Sequence, residues 1–506
     1  MHTTVLVVGG GPAGLAAAAE LSLHGVGCVV IEPRAEVSHR RPRAKTTNIR
    51  TMEHLRRWGV ADALREAAPL PVAWSQRVTF CESLSGARIT DFDHAFGLTA
   101  GRDDRFAEAG QQVPQPVVEE VLRAHLRGQP GVELRLGHRA LRLTQDETGV
   151  TVETDAGDEI RARYVLGCDG AGGVTRDQAG ARYVGRSDSR PNFNVVFRAP
   201  SLDTHLGPAV QYWVVGAPVN GLIGRLDLDG TWWAVTPGVD ADYGAAHASE
   251  LITGLVGAPV DHEVLATDPW TARMLIADTF RDRRVFLVGE SAHVNPPWGG
   301  HGFNTCVGDA VNIGWKIAAV EQGWAPDGLL ASYEPERRGV IEQTVASAES
   351  NMRVLADVLP RDEAQIQRAK RAEFYSLGLV LGYSYAGSPV IQRAAPASND
   401  VTSYTPGTEP GGRLPHGWLP DGSSLYDRLG PGFTLVGPDH EGTGNLTARA
   451  RRLGIPLTQA QAPPDYPWRE EFLLVRPDQH IAWRASDPAG LDLETAIGLR
   501  QVPTGV

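Results

Sequence analysis

The chain has 506 residues, 42% of them apolar and 21% charged, and a formal net charge of -12. These are values of a soluble globular protein too long for one hydrophobic core, so two or three domains are expected. The acidic balance argues against a nucleic-acid or anionic-membrane surface, and no stretch approaches the roughly 18 apolar residues of a membrane span.

Lysine occurs only at positions 45, 316 and 370, so arginine carries most of the positive charge. Cys28, Cys81, Cys168 and Cys306 form no C-x-x-C pair and have no metal-ligand spacing. No metal site is therefore expected, and the thiols read as small buried groups in a reducing compartment. The first residues run into a strand without a basic leader or cleavage site, which leads us to expect a cytoplasmic protein.

Residues 5–8 are continuously apolar, as a parallel strand covered on both faces should be. They lead into Gly9-Gly10-Gly11-Pro12-Ala13-Gly14, then a helical run over 15–24, then a second apolar run over 27–31 ending at Glu32. This is the spacing of a dinucleotide-binding unit. Gly9 makes the tight turn, Gly11 admits a pyrophosphate, Gly14 lets the helix pack, and Glu32 meets ribose hydroxyls. The unit does not distinguish FAD from NAD. The arginine-rich stretch 40–58 reads either as a solvated loop entering a helix near Asn48, or as placing Arg43 on cofactor phosphates.

Strands are expected within 78–91, at 132–136, 140–145 and 150–154, and a helix from Gln115 to about residue 126. The buried strand from 163 ends at Cys168-Asp169-Gly170. Asp169 fits a turn former, and its place at the end of a buried strand also fits a ligand site. From about 183 to 270 the strands follow one another through short turns, as in an antiparallel sheet lying over one face of a cofactor. Tyr212, Trp213, Arg225, Trp232 and Trp233 alternate along it. Aromatic residues at such spacing are more often core than site, and parity alone assigns neither face.

The stretch Gly289-Glu290-Ser291-Ala292-His293-Val294-Asn295-Pro296-Pro297-Trp298-Gly299-Gly300-His301-Gly302-Phe303-Asn304 lies between an apolar strand and a helix. Its prolines fix the chain direction, and its glycines let backbone N–H groups approach a flat, electron-rich ligand. The helix behind them favours an anionic group there. We read it as a cradle for a flavin ring. The chain is then helical to about 381. Residues 388–415, rich in Gly, Pro, Ser and Thr, read as a linker, and a compact αβ domain starts at 425.

These motifs, in this order, resemble the flavoprotein aromatic hydroxylases of the para-hydroxybenzoate hydroxylase fold, the class A flavin monooxygenases. Pro410-Gly411-Gly412-Arg413-Leu414-Pro415-His416 and the stretch 475–484 resemble the thioredoxin-like C-terminal domain of the phenol and polyketide hydroxylase branch, here without C-x-x-C. The fold implied is α/β. It has a discontinuous Rossmann-like FAD-binding domain over 1–182 and 268–395, an inserted antiparallel β-sheet substrate domain over 183–267, a linker over 396–424, and a thioredoxin-like domain over 425–506.

By position, the resemblance implies that Gly9, Gly11, Pro12, Ala13, Gly14, Glu32, Arg34, Arg43 and Gln115 bind the adenosine, pyrophosphate and ribityl parts of FAD. Asp169, Gly289, Glu290, Pro297, Gly300, His301, Gly302, Phe303 and Asn304 complete the cofactor set. Pro297, Gly299, Gly300 and His301 stand at the reactive edge, with His301 where relatives usually carry Gln. Tyr212, Trp213, Arg225, Trp233, Pro296 and Trp298 are the expected substrate contacts.

The activity implied is hydroxylation of a phenolic or polycyclic aromatic by dioxygen, with NADH or NADPH reducing FAD and a flavin C4a-hydroperoxide delivering the oxygen. A homodimer is one expected assembly. A Baeyer-Villiger or epoxidising monooxygenase shares every motif, and a flavin reductase or redox sensor is the third reading. Two departures stand out. Glu290 replaces an aspartate and is longer by one methylene, roughly 1.5 Å. Ala171-Gly172-Gly173 follows Asp169-Gly170 where Arg-Ser is common. No catalytic base is nominated, since His293 reads as a packed loop residue.

Overall fold

The computed structural model describes residues 1–39, 45–216, 219–356, 362–396 and 398–500, with only the backbone of 354–356. Its first sheet has the strand order Arg281–Asp282, Val285–Leu287, Glu159–Gly167, His2–Val8, Cys28–Glu32 and Val132–Leu136. The last five of these run parallel. Ala140–Gln145 and Val150–Thr154 extend it as an antiparallel ribbon. Every residue of Cys28–Glu32 is buried, which accounts for its unbroken apolar run. Helices Pro12–Leu23 and Gly302–Glu321 pack on each other against one face.

Asn48 caps the helix Ile49–Arg57 by accepting from the Thr51 amide at 2.9 Å, so the expected helix start near Asn48 is present. Arg40 to Ala44, with the expected phosphate ligand Arg43, lie outside the described residues.

The second sheet is His293–Val294, Glu263–Ala277, Tyr183–Arg198, Thr231–Pro237, Gly221–Arg225, Gln211–Val214, Val78–Cys81 and Arg88–Phe92. It differs from the expected insert in two ways. Two of its strands come from 78–92, ahead of 183–267, and Gln211–Val214 pairs parallel to Val78–Cys81. An alternating pattern marks those residues as strands but does not show that Val78–Cys81 also pairs with Gln211–Val214, more than 100 residues away. The strand His293–Val294 ties the glycine-rich loop to this sheet through Ile276 and Leu275. The loop therefore leaves one sheet and is anchored on the other.

Residues 388–424 are not a loose linker. Leu414, Arg413 and Thr408 are buried, and Gly411 and Leu414 donate to the Ile481 and Gln479 carbonyls at 2.8 and 2.9 Å. The C-terminal body is a four-stranded sheet, Leu457–Ala460, Phe433–Val436, Phe472–Val475 and Ile481–Ala485, with the helix Gly442–Arg452.

A buried ionic network joins this body to the helices behind the glycine-rich loop. Glu336 accepts from Arg476 at 2.8 Å through both carboxylate oxygens, from Lys316 at 2.6 Å and from Asn312 at 2.7 Å. Arg476 also meets Asp478 at 2.6 Å. All four charged side chains are at most 1% exposed. Arg413 reaches back to Glu53 in the same manner. Removing one partner strands the rest in low dielectric. Arg476→Met should therefore lower the unfolding free energy by about 3–5 kcal/mol, read by urea denaturation followed by far-UV circular dichroism.

Candidate active site

Two cavities meet behind the glycine-rich loop. The first, about 470 Å³, lies at the ends of the parallel strands His2–Val8, Cys28–Glu32 and Glu159–Gly167. Gly9, Gly11, Pro12, Ala13, Glu32, Arg34, Gln115, Asp169, Glu290 and Phe303 all line it. The second, about 870 Å³, lies between the loop and the second sheet. Gln115, Glu290 and Phe303 belong to both walls, so one elongated ligand can pass from one to the other.

The first cavity has the shape of a pyrophosphate cradle. Gly9 adopts φ +108, and a Cβ there would overlap the Cys168 carbonyl. A Cβ on Gly14 would overlap the Gly9 oxygen, so Gly14 serves packing and does not line the cleft. A Cβ on Gly11 would meet nothing within 4 Å, which leaves the approach open. The helix starts at Pro12 without a side-chain cap, so its first amides face the cleft.

Glu32 accepts from the Gly10 amide at 2.7 Å and from the Arg34 amide at 3.0 Å, and it pairs with the Arg34 guanidinium. Arg34 continues to Glu119, which also accepts from Gln115 at 2.9 Å. These residues fit an adenine dinucleotide: open amides for the phosphates and a carboxylate at the second strand end for ribose.

Asp169 lines the cleft, but its oxygens carry protein bonds. It accepts from the Thr175 amide at 3.0 Å, the Thr175 hydroxyl, and the Ser291 hydroxyl at 2.9 Å. A Cβ on Gly173 would overlap this carboxylate. The glycine at 173 thus has a local cause: Asp169 accepts from the first turn of the short helix Val174–Gln178, leaving no room for a side chain there, whereas nothing crowds Gly172. Glu290 lines both cavities, and its carbonyl accepts from the Tyr183 hydroxyl.

Pro296, Pro297, Trp298, Gly299, Gly300, Gly302 and Phe303 border the second cavity. Gly299 and Gly300 hold φ of +92 and +69, which only glycine adopts without strain. The Gly299 backbone lies beside the Glu373 carboxylate. Asn304 lines neither large cavity. Its Nδ2 donates to the Thr46 and Gly300 carbonyls at 2.8 and 2.7 Å, and its Oδ1 accepts from the Asn48 amide, so it clamps the two segments that face each other across the ring site. Gly289 packs against Ala13 and Cys306 and is likewise outside both linings.

His301 does not line the large cavities, contrary to the sequence expectation. Its ring is buried behind Gly299 with no hydrogen bond to Nε2 among the described residues, and burial lowers its pKa to about 4. His293 is held by Asp309 at 2.8 Å beside Arg337 and stays in the loop core.

Of the expected substrate contacts, Trp233, Pro296 and Trp298 line the second cavity. Tyr212, Trp213 and Arg225 do not. Tyr212 points into the sheet core, its hydroxyl accepting from the Ala209 amide at 3.1 Å. Trp213 is covered by Phe80, Lys370 and Phe374 because the helix Glu363–Phe374 packs on it. Arg225 lies over Trp232 and donates to the Leu202 carbonyl.

The sequence reading missed Lys45, Asn194, Gln211, Trp270 and Glu373, which also line this cavity. Trp270 donates to Asn194 at 2.8 Å and sits 5.5 Å from Trp298, ring to ring. Only the rarity of lysine could have drawn attention to Lys45. No sequence signal marks the others.

Residues 2–348 match the model of an FAD binding domain, and residues 407–501 match that of an aromatic-ring hydroxylase C-terminal domain. The chain belongs to the FAD-dependent aromatic-ring hydroxylases. It is 31% identical to a putative polyketide hydroxylase of Streptomyces halstedii, over 99% of this chain and 96% of that one. It is 29% identical to a 2,4-dichlorophenol 6-monooxygenase of Delftia acidovorans, over 98% of each. Among solved structures it resembles RebC with bound 7-carboxy-K252c, with a TM-score of 0.89, 30% identity and coverage of 98% and 99%. The hydroxylase is thus an FAD-dependent monooxygenase.

Two outcomes are expected here. Gly299→Ala places a Cβ against the His301 ring at a positive φ, so the hydroxylase should purify with less FAD, read from its visible absorbance per chain, while far-UV circular dichroism stays the same. His301 is neutral in the folded state down to about pH 4, whereas the unfolded imidazole titrates near 6.5. Its burial therefore costs nothing above about pH 6.5 and destabilises the fold as pH falls towards 4, where the unfolded chain binds the extra proton. His301→Gln should shift acid unfolding to lower pH.

Proposed function

We propose that this hydroxylase inserts one oxygen atom into a phenolic or polycyclic aromatic substrate, with NADH or NADPH as reductant. The observation that carries the reading is the second cavity: about 870 Å³, walled by Trp233, Trp270 and Trp298 and continuous with the glycine-rich loop. That volume lies at the upper end of the range for small-molecule sites, about 300–1,000 Å³, and leaves space for a multi-ring aromatic beside a flavin. Aromatic walls suit a flat, electron-rich ring.

When bound, FAD supplies the chemistry that activates dioxygen. The chain's own part is placement and charge. The N-terminus of the helix Gly302–Glu321, where Gly302 borders the cavity, would stabilise negative charge on a reduced ring. Trp298 and Trp270 cover the cavity and keep water from the reacting atoms. Phe303 and Gln115 border the passage between the two cavities.

Among the described residues no helix is long and apolar enough to cross a membrane. The composition suggests a cytoplasmic enzyme, and we extend the reading to a homodimer.

Anaerobic mixing of the yellow holoenzyme with NADH or NADPH, with and without a panel of phenols and naphthoquinols, tests the reading. A panel member should accelerate flavin bleaching and, once ¹⁸O₂ is admitted, carry one labelled oxygen on its ring. Label in a lactone would reassign the reaction as ring-expanding oxidation, and no bleaching by either nucleotide would remove the monooxygenase reading altogether.

A further inference from the structure

We propose that Lys45 is the proton acceptor for an acidic hydroxyl of the aromatic substrate, and that the ammonium so formed holds the resulting oxyanion in the cavity. This rests on the aromatic hydroxylase reading above.

Lys45 lines the second cavity. Its Nζ is enclosed and has no hydrogen-bond partner among the described residues. It lies 3.4 Å from the centre of the Trp233 ring. The other two lysines are occupied: Lys316 is paired with Glu336 and Lys370 with Glu373, each at 2.6 Å.

The other ionisable groups on the wall are committed as well, with one exception. Glu373 is bonded by Lys370, and Glu290 and Asp268 each have a partner. Arg273 is a permanent cation and offers no lone pair. An amine buried without a carboxylate is pushed towards its neutral form by desolvation, well below the usual lysine range here. The cavity wall thus carries a nitrogen lone pair beside an aromatic face.

A phenol seated there can give up its proton in one balanced step. The O–H bond breaks as the N–H bond forms, converting a neutral pair into a phenolate and an ammonium with no further reactant. The two charges attract strongly at short range away from water, and the Trp233 face stabilises the cation. The phenolate returns electron density to the ring positions ortho and para to oxygen, which suits attack on an electrophilic oxygen atom.

The test uses the oxidised holoenzyme without reductant, titrated with 4-nitrophenol, whose ionised form is yellow, and with 4-nitroanisole, which has no proton to give. Wild type should show the phenolate band below the solution pKa of the probe and release no proton to an indicator dye. Lys45→Met should lose the band and bind nitrophenol about ten-fold more weakly or worse, with 4-nitroanisole affinity and FAD content unchanged. Lys45→Arg, a cation that cannot accept a proton, should keep the band and release one proton per bound probe.

A wild type that binds nitrophenol un-ionised overturns the assignment. So does a Lys45→Met protein that ionises it as wild type does, or one in which only the flavin reduction potential moves. Failure of the hydroxylase reading is separable. Ionisation through Lys45 without oxygen insertion into any phenol removes the activity and keeps the base, and insertion with ionisation unaltered by Lys45→Met does the reverse.

Discussion

Backbone crowding at one point sets the rest of the hydroxylase. There the ends of His2–Val8, Cys28–Glu32 and Glu159–Gly167 converge, and Val288, which follows Val285–Leu287, joins them. Gly9 donates to the Ile31 carbonyl at 2.8 Å, Cys168 to Val8 at 2.8 Å, and Val288 to Gly167 at 2.9 Å. Side chains have no place among them. A Cβ on Gly9 would overlap Cys168, one on Gly14 would overlap Gly9, and one on Gly289 would press on Ala13 and Cys306. This approach aims the first amides of the helix Pro12–Leu23 into the cleft, and it starts the glycine-rich loop beside them.

From that point the loop is held from several sides. His293–Val294 joins the second sheet, Asn304 clamps Gly300 to Thr46, and Glu373 lies beside the Gly299 backbone. Behind it, Lys316 on the helix Gly302–Glu321 is bound through Glu336 to Arg476 of the C-terminal body. That body packs against Trp315 and Ala319 at the rear of the helix whose first residues border the second cavity. Ionic contacts this deep are a poor source of net stability, but they tolerate few alternative arrangements, and this fixes the body in one orientation.

The sequence determined what depends on neighbours in the chain. Continuous apolar runs gave the parallel strands, because both of their faces are covered. The glycine spacing gave the dinucleotide cleft, because turn, approach and packing are satisfied within six residues. Asn48 gave a helix start through its own side chain. Gly9, Gly11 and Glu32 lie in the wall where local pattern placed them, and Arg34, Gln115 and Pro297 lie in walls as the family resemblance implied.

What faces what was decided only by the tertiary structure. Trp232 and Trp233 are adjacent on one strand, and alternation says that they point to opposite faces without saying which is wet. Packing of Phe193, Phe197 and Tyr212 takes Trp232 into the core and leaves Trp233 to the cavity. Trp213 shares a face with Gln211, yet the helix Glu363–Phe374, about 150 residues later, covers it. The same helix brings Glu373 to the loop. His301 follows two left-handed glycines, and the turn they make carries its ring behind the cavity it was expected to line. Lys45, within an arginine-rich stretch that reads either as a solvated loop or as a phosphate contact, is enclosed beside Trp233 of the second sheet. The chain thus encodes the cofactor cleft locally, and it assembles the substrate cavity from segments that meet only once both sheets are in place.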